Sequence, residues 1–200
     1  MRRLVALVGC FALSGCATAN ENPQQTATVA QKTAPGLITA ETPIPTDIRR
    51  TTLIVRSIDN SLKLYRDVLG LRLQYDNPTE LTGKAIPAGG PGDKARFALL
   101  SANNTWVGMI GLLQWVDPPL PDPGPYPTRI GPGDIVIVIN TDDIEGRCAR
   151  AADVPGVTIN AEAHLQIYGS RNGSGEIQMI GCTLFDPDGN LIEINQILKR

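Results

Sequence analysis

The sequence predicts an α+β domain of two βαβββ modules, whose eight strands form a curved mixed sheet lining a concave cup with the helices outside. Three observations carry this expectation. A β-branched run that ends in a polar helix cap occurs twice, at Arg50–Arg56 and at Asp134–Asn140. Each run is followed by a short stretch at helical spacing and then by further apolar runs of strand length. Between the two, residues 117–133 are rich in proline and glycine and read as a connector.

The elements follow in order. Ser57-Ile58-Asp59 offers a side-chain cap, and Ile58, Leu62, Tyr65 and Leu69 recur on one helical face before Gly70 closes the helix. Leu71–Tyr75, Phe97–Ser101 and Val107–Trp115 complete the first module, about residues 49–116, with a turn at Asn103-Asn104. In the second module, about 133–197, Asp142-Asp143 cap a helix whose face is Ile144, Cys148 and Ala151-Ala152. Val157–Asn160, Glu176–Phe185 and Leu191–Ile197 are its remaining strands, and Asp186-Pro-Asp-Gly-Asn190 is a turn. The segment 161–175 reads as a loop, and the Gly/Pro-rich stretch Lys84–Lys94 as a lid or a hairpin loop. Neither module alone has enough strands to close a pocket, so the two are expected to share one.

The first residues address location. Arg2 and Arg3 precede an uncharged apolar run, Leu4–Leu13, too short to span a ~30 Å hydrocarbon core. Leu13-Ser14-Gly15-Cys16 resembles the lipobox of bacterial lipoprotein signal peptides. The resemblance implies removal of residues 1–15, lipidation of Cys16 and a lipid-anchored, periplasm-facing protein. Ala17 after the cysteine further implies the outer membrane. Residues 16–46 are polar, aperiodic and Pro-containing. They read as a lipid-anchored tether with a reach of about 30 Å, leaving 47–200 as the folded domain.

Charge and cysteine content narrow the partners. Without residues 1–15, 16 basic residues stand against 20 acidic ones, a net charge of −4. No basic tract is present, which argues against nucleic acid. Cys10 leaves with the signal and Cys16 carries lipid, so Cys148 and Cys182 remain. Both sit on apolar faces, and two buried free thiols are expected ahead of a disulfide, although the exported location permits a bridge.

Thr51–Asp59 followed by Leu64-Tyr-Arg-Asp-Val-Leu-Gly-Leu71, together with Phe185-Asp-Pro-Asp-Gly-Asn-Leu-Ile-Glu-Ile194, resembles the vicinal oxygen chelate superfamily. That superfamily contains glyoxalase I, extradiol dioxygenases, fosfomycin-resistance enzymes and bleomycin-resistance binding proteins. The resemblance spans residues 49–197. Its metal-dependent members carry one metal ligand on the first and one on the last strand of each module, all four facing the cup. Here the resemblance places Arg50 and Gly111 at the positions of module one. Asp134 or Val136, then Glu193, fall at those of module two. Arg50 and Gly111 offer no metal ligand, and one or two carboxylates do not satisfy zinc or a hard cation. The only histidine, His164, falls in the segment read as a loop.

The expected function is metal-independent binding of a small molecule, with no cofactor. Arg50 and Glu193 would be a polar anchor paired inside the cup, Asp134 an adjacent group, and Met109 and Leu113 apolar lining. The alternative is a metal-dependent enzyme of the glyoxalase I lyase or extradiol dioxygenase type, its divalent site shifted onto Glu193, Asp134 and His164. A third reading is a structural envelope lipoprotein with a vestigial cup. A homodimer is compatible with each.

Overall fold

The computed structural model describes residues 46–122, 124–125, 128–169, 173 and 175–199. The signal and lipidation expectations, Cys16 included, lie outside the described residues.

The strands are β1 (Arg50–Ile54), β2 (Arg72–Glu80), β3 (Lys94–Ser101), β4 (Met109–Asp117), β5 (Val136–Asn140), β6 (Thr158–Gly169), β7 (Glu176–Phe185) and β8 (Leu191–Lys199). Helix α1 (Ile58–Leu62) continues as a π-wound segment, Lys63–Val68, and α2 spans Ile144–Ala151. The two βαβββ modules are present, each as a four-stranded mixed sheet, with orders β1-β4-β3-β2 and β5-β8-β7-β6. In each, the first strand runs parallel to the last and the other pairs are antiparallel. A helical crossover is what joins such parallel neighbours.

Both helices begin where the sequence places a cap. Asn60 N–H donates to Ser57 Oγ at 3.3 Å, and Gly146 N–H to Asp143 Oδ1 at 3.2 Å. A glutamine from the last strand of each module adds a second cap. Ile58 N–H donates to Gln114 Oε1 at 2.9 Å, and Ile144 N–H to Gln196 Oε1 at 3.3 Å. Gln114 and Gln196 are therefore equivalent, which makes Gly111 the counterpart of Glu193.

One hydrophobic core serves both modules. Leu53, Ile58, Leu64, Tyr65, Leu100 and Leu112 from the first join Ile144, Cys148, Cys182, Leu184, Ile192 and Ile194 from the second. The Asp186–Asn190 turn is pinned into this core. The Asp186 carboxylate, 2 % exposed, accepts from Asp188 N–H, Asn190 N–H, the Asn190 amide and the buried Tyr65 hydroxyl, at 2.8–3.0 Å. Asp188 Oδ1 accepts from Arg56 N–H at 2.9 Å, so the turn of module two holds the start of the first helix. Burial raises the Tyr65 hydroxyl well above its ordinary pKa, reinforced by Asp186. Burial also raises the Asp188 carboxyl.

Two expectations are corrected here. Cys148 and Cys182 are buried but not free: they form a disulfide that ties α2 to β7. Periodicity places a cysteine on a face but does not measure its distance to another. His164 lies within β6, which is far longer than the predicted Val157–Asn160. Polar and apolar residues alternate over 160–167, the period-two pattern of a half-buried strand, so the strand signal was present in the sequence and the loop reading passed over it.

On the helix side of module one, Arg96 donates to both oxygens of Asp76 at 2.7 Å and to Asp59 at 2.7 Å. The hydrogen bonds from Arg96 hold the Asp76 carboxyl below its ordinary pKa, outweighing partial burial. A carboxyl depressed in the folded state adds stability above its unfolded pKa of ~3.9, and that contribution is lost as pH falls through the lower folded value. Arg96→Met should therefore cost about 1–2 kcal/mol at neutral pH and flatten the fall in stability below about pH 4. Urea melts at stepped pH read both effects.

Candidate ligand cups

Strand alternation gives each sheet a second face, turned away from the helices. In module one it carries Arg50, Thr52 and Ile54 from β1, Met109, Gly111, Leu113 and Trp115 from β4, and Phe97 from β3. The contacts agree. The Arg50 guanidinium lies 4.9 Å from the Phe97 ring centroid, and Tyr75 packs on the same ring at 6.0 Å. Gly111 sits under Thr52 and Phe97, both of which a Cβ would press.

The β2–β3 loop fills one end of this cup. Leu81, Ile86 and Ala88 pack on Ala95, Phe97, Leu113 and Trp115. Lys84–Lys94 was expected as a lid or a hairpin loop, and it covers apolar surface. Gly89, at φ 66°, lies against the Trp115 indole nitrogen, where any side chain would collide. That buried N–H has no acceptor among the described residues.

At the same end, on the β1 side of Trp115, the cup stays open. Ile54, Val55, Arg56 and Trp115 face Pro119, Leu120, Pro121 and Asp122 across a cleft of about 440 Å³. This lies in the 300–1,000 Å³ range of small-molecule sites, and its apolar walls with few polar groups fit the pattern. The rim is charged and latched: Arg56 Nη2 donates to Asp122 Oδ1 at 2.7 Å and to the Gly124 carbonyl. Of the predicted lining, Leu113 and Met109 are on the cup face but 4 % and 1 % exposed, and only Trp115 of β4 reaches the cleft. Trp106 is 58 % exposed beneath the Arg49 guanidinium and does not line the cleft.

The module-two cup is polar. Register places Val136, Val138 and Asn140 of β5 with Glu193 and Asn195 of β8, Thr183 and Gly181 of β7, and His164 and Gln166 of β6. Asn195 donates to Glu193 Oε1 at 2.7 Å. His164 Nδ1 is 2.8 Å from the Glu162 carbonyl, its Nε2 is 3.2 Å from Gln166 Nε2, and Tyr168 donates to Gln166 Oε1 at 2.6 Å.

The predicted site residues are thus only partly together. Arg50 and Glu193 form no ion pair among the described residues: the guanidinium rests on Phe97 and the carboxylate takes Asn195. They occupy separate four-stranded sheets, so facing inward does not make them neighbours. Asp134 precedes β5 and its carboxylate accepts from Gly131 N–H at 2.7 Å, closing a turn. The register pairs Val136 with Leu191 as Arg50 pairs with Met109, so Val136 is the first-strand position of module two. Asn195 and Gln166 were missed as cup residues. The signal for Asn195 was available, because it lies two residues from Glu193 on one strand.

The four positions that the superfamily resemblance assigns to metal ligands are therefore Arg50, Gly111, Val136 and Glu193. A cation, no side chain, an alkyl group and a single carboxylate do not fit a metal. His164 shares a face with Glu193, yet both its ring nitrogens are engaged within β6. No cluster of three His, Cys, Asp or Glu suited to a metal occurs among the described residues.

Residues 47–194 match the family model described as the Glyoxalase/Bleomycin resistance protein/Dioxygenase superfamily. Among solved structures, a glyoxalase family protein of Bacillus cereus is 18 % identical with a TM-score of 0.59, the match covering 80 % of this chain and 99 % of that one. The trypanothione-dependent glyoxalase I of Leishmania major is also 18 % identical, with a TM-score of 0.46 and coverage of 76 % and 86 %. No curated protein matches the chain. A family match over most of the folded residues, on a fold of paired βαβββ modules, places this chain in the glyoxalase/bleomycin resistance protein/dioxygenase superfamily.

Proposed function

We propose that this protein is an envelope lipoprotein whose glyoxalase-like domain binds a small molecule without a metal. The observation that carries the reading is the module-one cleft, which pairs apolar walls of ligand-site volume with an Arg56–Asp122 rim. It sits in the module-one cup, where the family metal positions hold Arg50 and Gly111, neither of which can ligate a metal. Burial of an apolar ligand against Ile54, Leu120 and Trp115 supplies the affinity, at about 25 cal/mol per Å² removed from water. The rim charges supply orientation. The Cys148–Cys182 bridge supports an oxidising compartment, in keeping with the signal-like head and Cys16. No helix among the described residues is long and apolar enough to cross a membrane; the proposed anchor is lipid on Cys16, suggested by the lipobox-like Leu13-Ser14-Gly15-Cys16.

A thermal-shift screen of small apolar and amphiphilic compounds on the full chain, repeated with chelator, tests the binding. Stabilisation by at least one compound, unchanged by chelator, is the expected result. About one zinc, iron, nickel or manganese per chain, lost together with binding when chelator is added, would instead favour the enzyme reading. Cys16→Ser should release the protein from the membrane fraction and abolish acyl labelling. Membrane retention of that variant, with no acyl mass on the parent, would refute the lipoprotein assignment.

A further inference from the structure

We propose that the module-two cup is a second subsite, one that takes a primary ammonium group carried on an apolar chain. The proposal rests on the small-molecule reading of the domain and names a ligand class for this half of it.

The cup is rich in acceptors. Glu193 is only partly buried, and no cation pairs with it among the described residues; its one hydrogen bond there comes from the Asn195 amide. Asn195 is 4 % exposed, and having given that N–H its Oδ1 is left with no donor among the described residues. A buried amide oxygen without a donor is costly unless something supplies one. Gly181 makes the arrangement sterically possible. A Cβ there would lie 2.6 Å from Gln166 Nε2 and 3.1 Å from Asn195 Oδ1, so both side chains lie across a strand stripped to its backbone. Gln166, its amide held between Tyr168 and His164, lies over this floor.

Charge and shape then select the ligand. A carboxylate beside an orphaned amide oxygen calls for a positively charged group with several N–H donors, and an ammonium offers three. Beside Glu193 on β5, Val136 and Val138 are 43 % and 57 % exposed and share the cup face. They provide an apolar strip for a chain attached to the ammonium. An anion would meet Glu193 with nothing to offset it, and a neutral alcohol would leave the carboxylate without a countercharge.

Calorimetric titration of the full chain with n-hexylamine, n-hexanol and hexanoate, all at pH 7 in chelator, tests this. Hexylammonium should bind at least tenfold more tightly than the other two. Glu193→Gln and Asn195→Leu should each remove most of that margin, with folding checked by circular dichroism. Val138→Lys provides an arm that leaves both cup residues in place. It plants an ammonium on the residue paired with Glu193 and should abolish hexylamine binding. Equal binding of the three compounds, or a margin that survives Glu193→Gln or Val138→Lys, would overturn the proposal. Loss of hexylamine binding on Leu120→Arg alone would place the amine in the module-one cleft, refuting this subsite and sparing the wider reading. A chain that binds screened apolar compounds with no ammonium preference fails this inference only, whereas one that binds nothing fails both.

Discussion

Replacing Asp186 with alanine should destabilise the domain by about 3–5 kcal/mol, the largest effect expected of any single substitution outside the hydrophobic core. Four donors converge on its carboxylate: two turn N–H groups, the Asn190 amide and the Tyr65 hydroxyl. Alanine leaves these without an acceptor in a region that water barely reaches, and each buried orphan costs about 1–3 kcal/mol. The turn also carries Asp188, which holds Arg56 N–H at the start of the first helix. Its loosening therefore spreads from module two into module one. Tyr65→Phe removes one hydrogen bond while keeping the ring and should cost only about 1–2 kcal/mol. Urea denaturation of the three proteins gives the order directly. Equal losses for Asp186→Ala and Tyr65→Phe would show that the turn does not depend on the carboxylate.

Removing the disulfide should rank next. Cys148 and Cys182 are 34 residues apart, and closing a loop of that length restricts the unfolded chain enough to contribute about 3–4 kcal/mol. The double replacement Cys148→Ala with Cys182→Ala should lower Tm by roughly 10 °C, and reducing agent should do the same to the parent but not to the variant. In the processed protein, with Cys10 removed and Cys16 lipidated, no thiol should react with a reagent even after denaturation, so long as no reductant is present. Two thiols titrated on denaturing the processed parent without reductant would contradict the bridge.

The sequence made the repeat visible because its signals are local. A cap residue, a β-branched run and a glycine after a helix act within a few positions, and Ser57, Asp143 and Gly70 perform those tasks in the structure. The match between Gly111 and Glu193 was legible for the same reason, since strand parity and spacing follow the chain. Long-range relations were not. Nothing in Asp186-Pro-Asp-Gly-Asn190 announces that its first carboxylate accepts from Tyr65, 121 positions away. The proposed Arg50–Glu193 pair failed on the same point. Parity sends both side chains to the cup face, but the partner each finds depends on how the two sheets sit, which periodicity does not encode. The length of β6, by contrast, was legible in the period-two alternation of residues 160–167, a local signal that the loop reading passed over.

The two cups divide the chemistry. Module one offers apolar walls, an indole and a charged rim, while module two offers Glu193, Asn195 and Gln166 on an open sheet. A substitution in one should leave the other's ligand preference intact, because sites without shared partners act nearly independently.

The most direct measurement of the central claim uses Trp115, which lines the module-one cleft, as the reporter. In a Trp106→Phe background only this indole remains, and 1-anilinonaphthalene-8-sulfonate can be titrated into the full chain in the presence of chelator. Energy transfer from Trp115 should saturate at one site per chain, should not change when zinc or manganese is restored, and should vanish on Leu120→Arg. Binding that appears only with a divalent metal, or that ignores Leu120→Arg, would contradict a metal-independent cleft as the seat of the function.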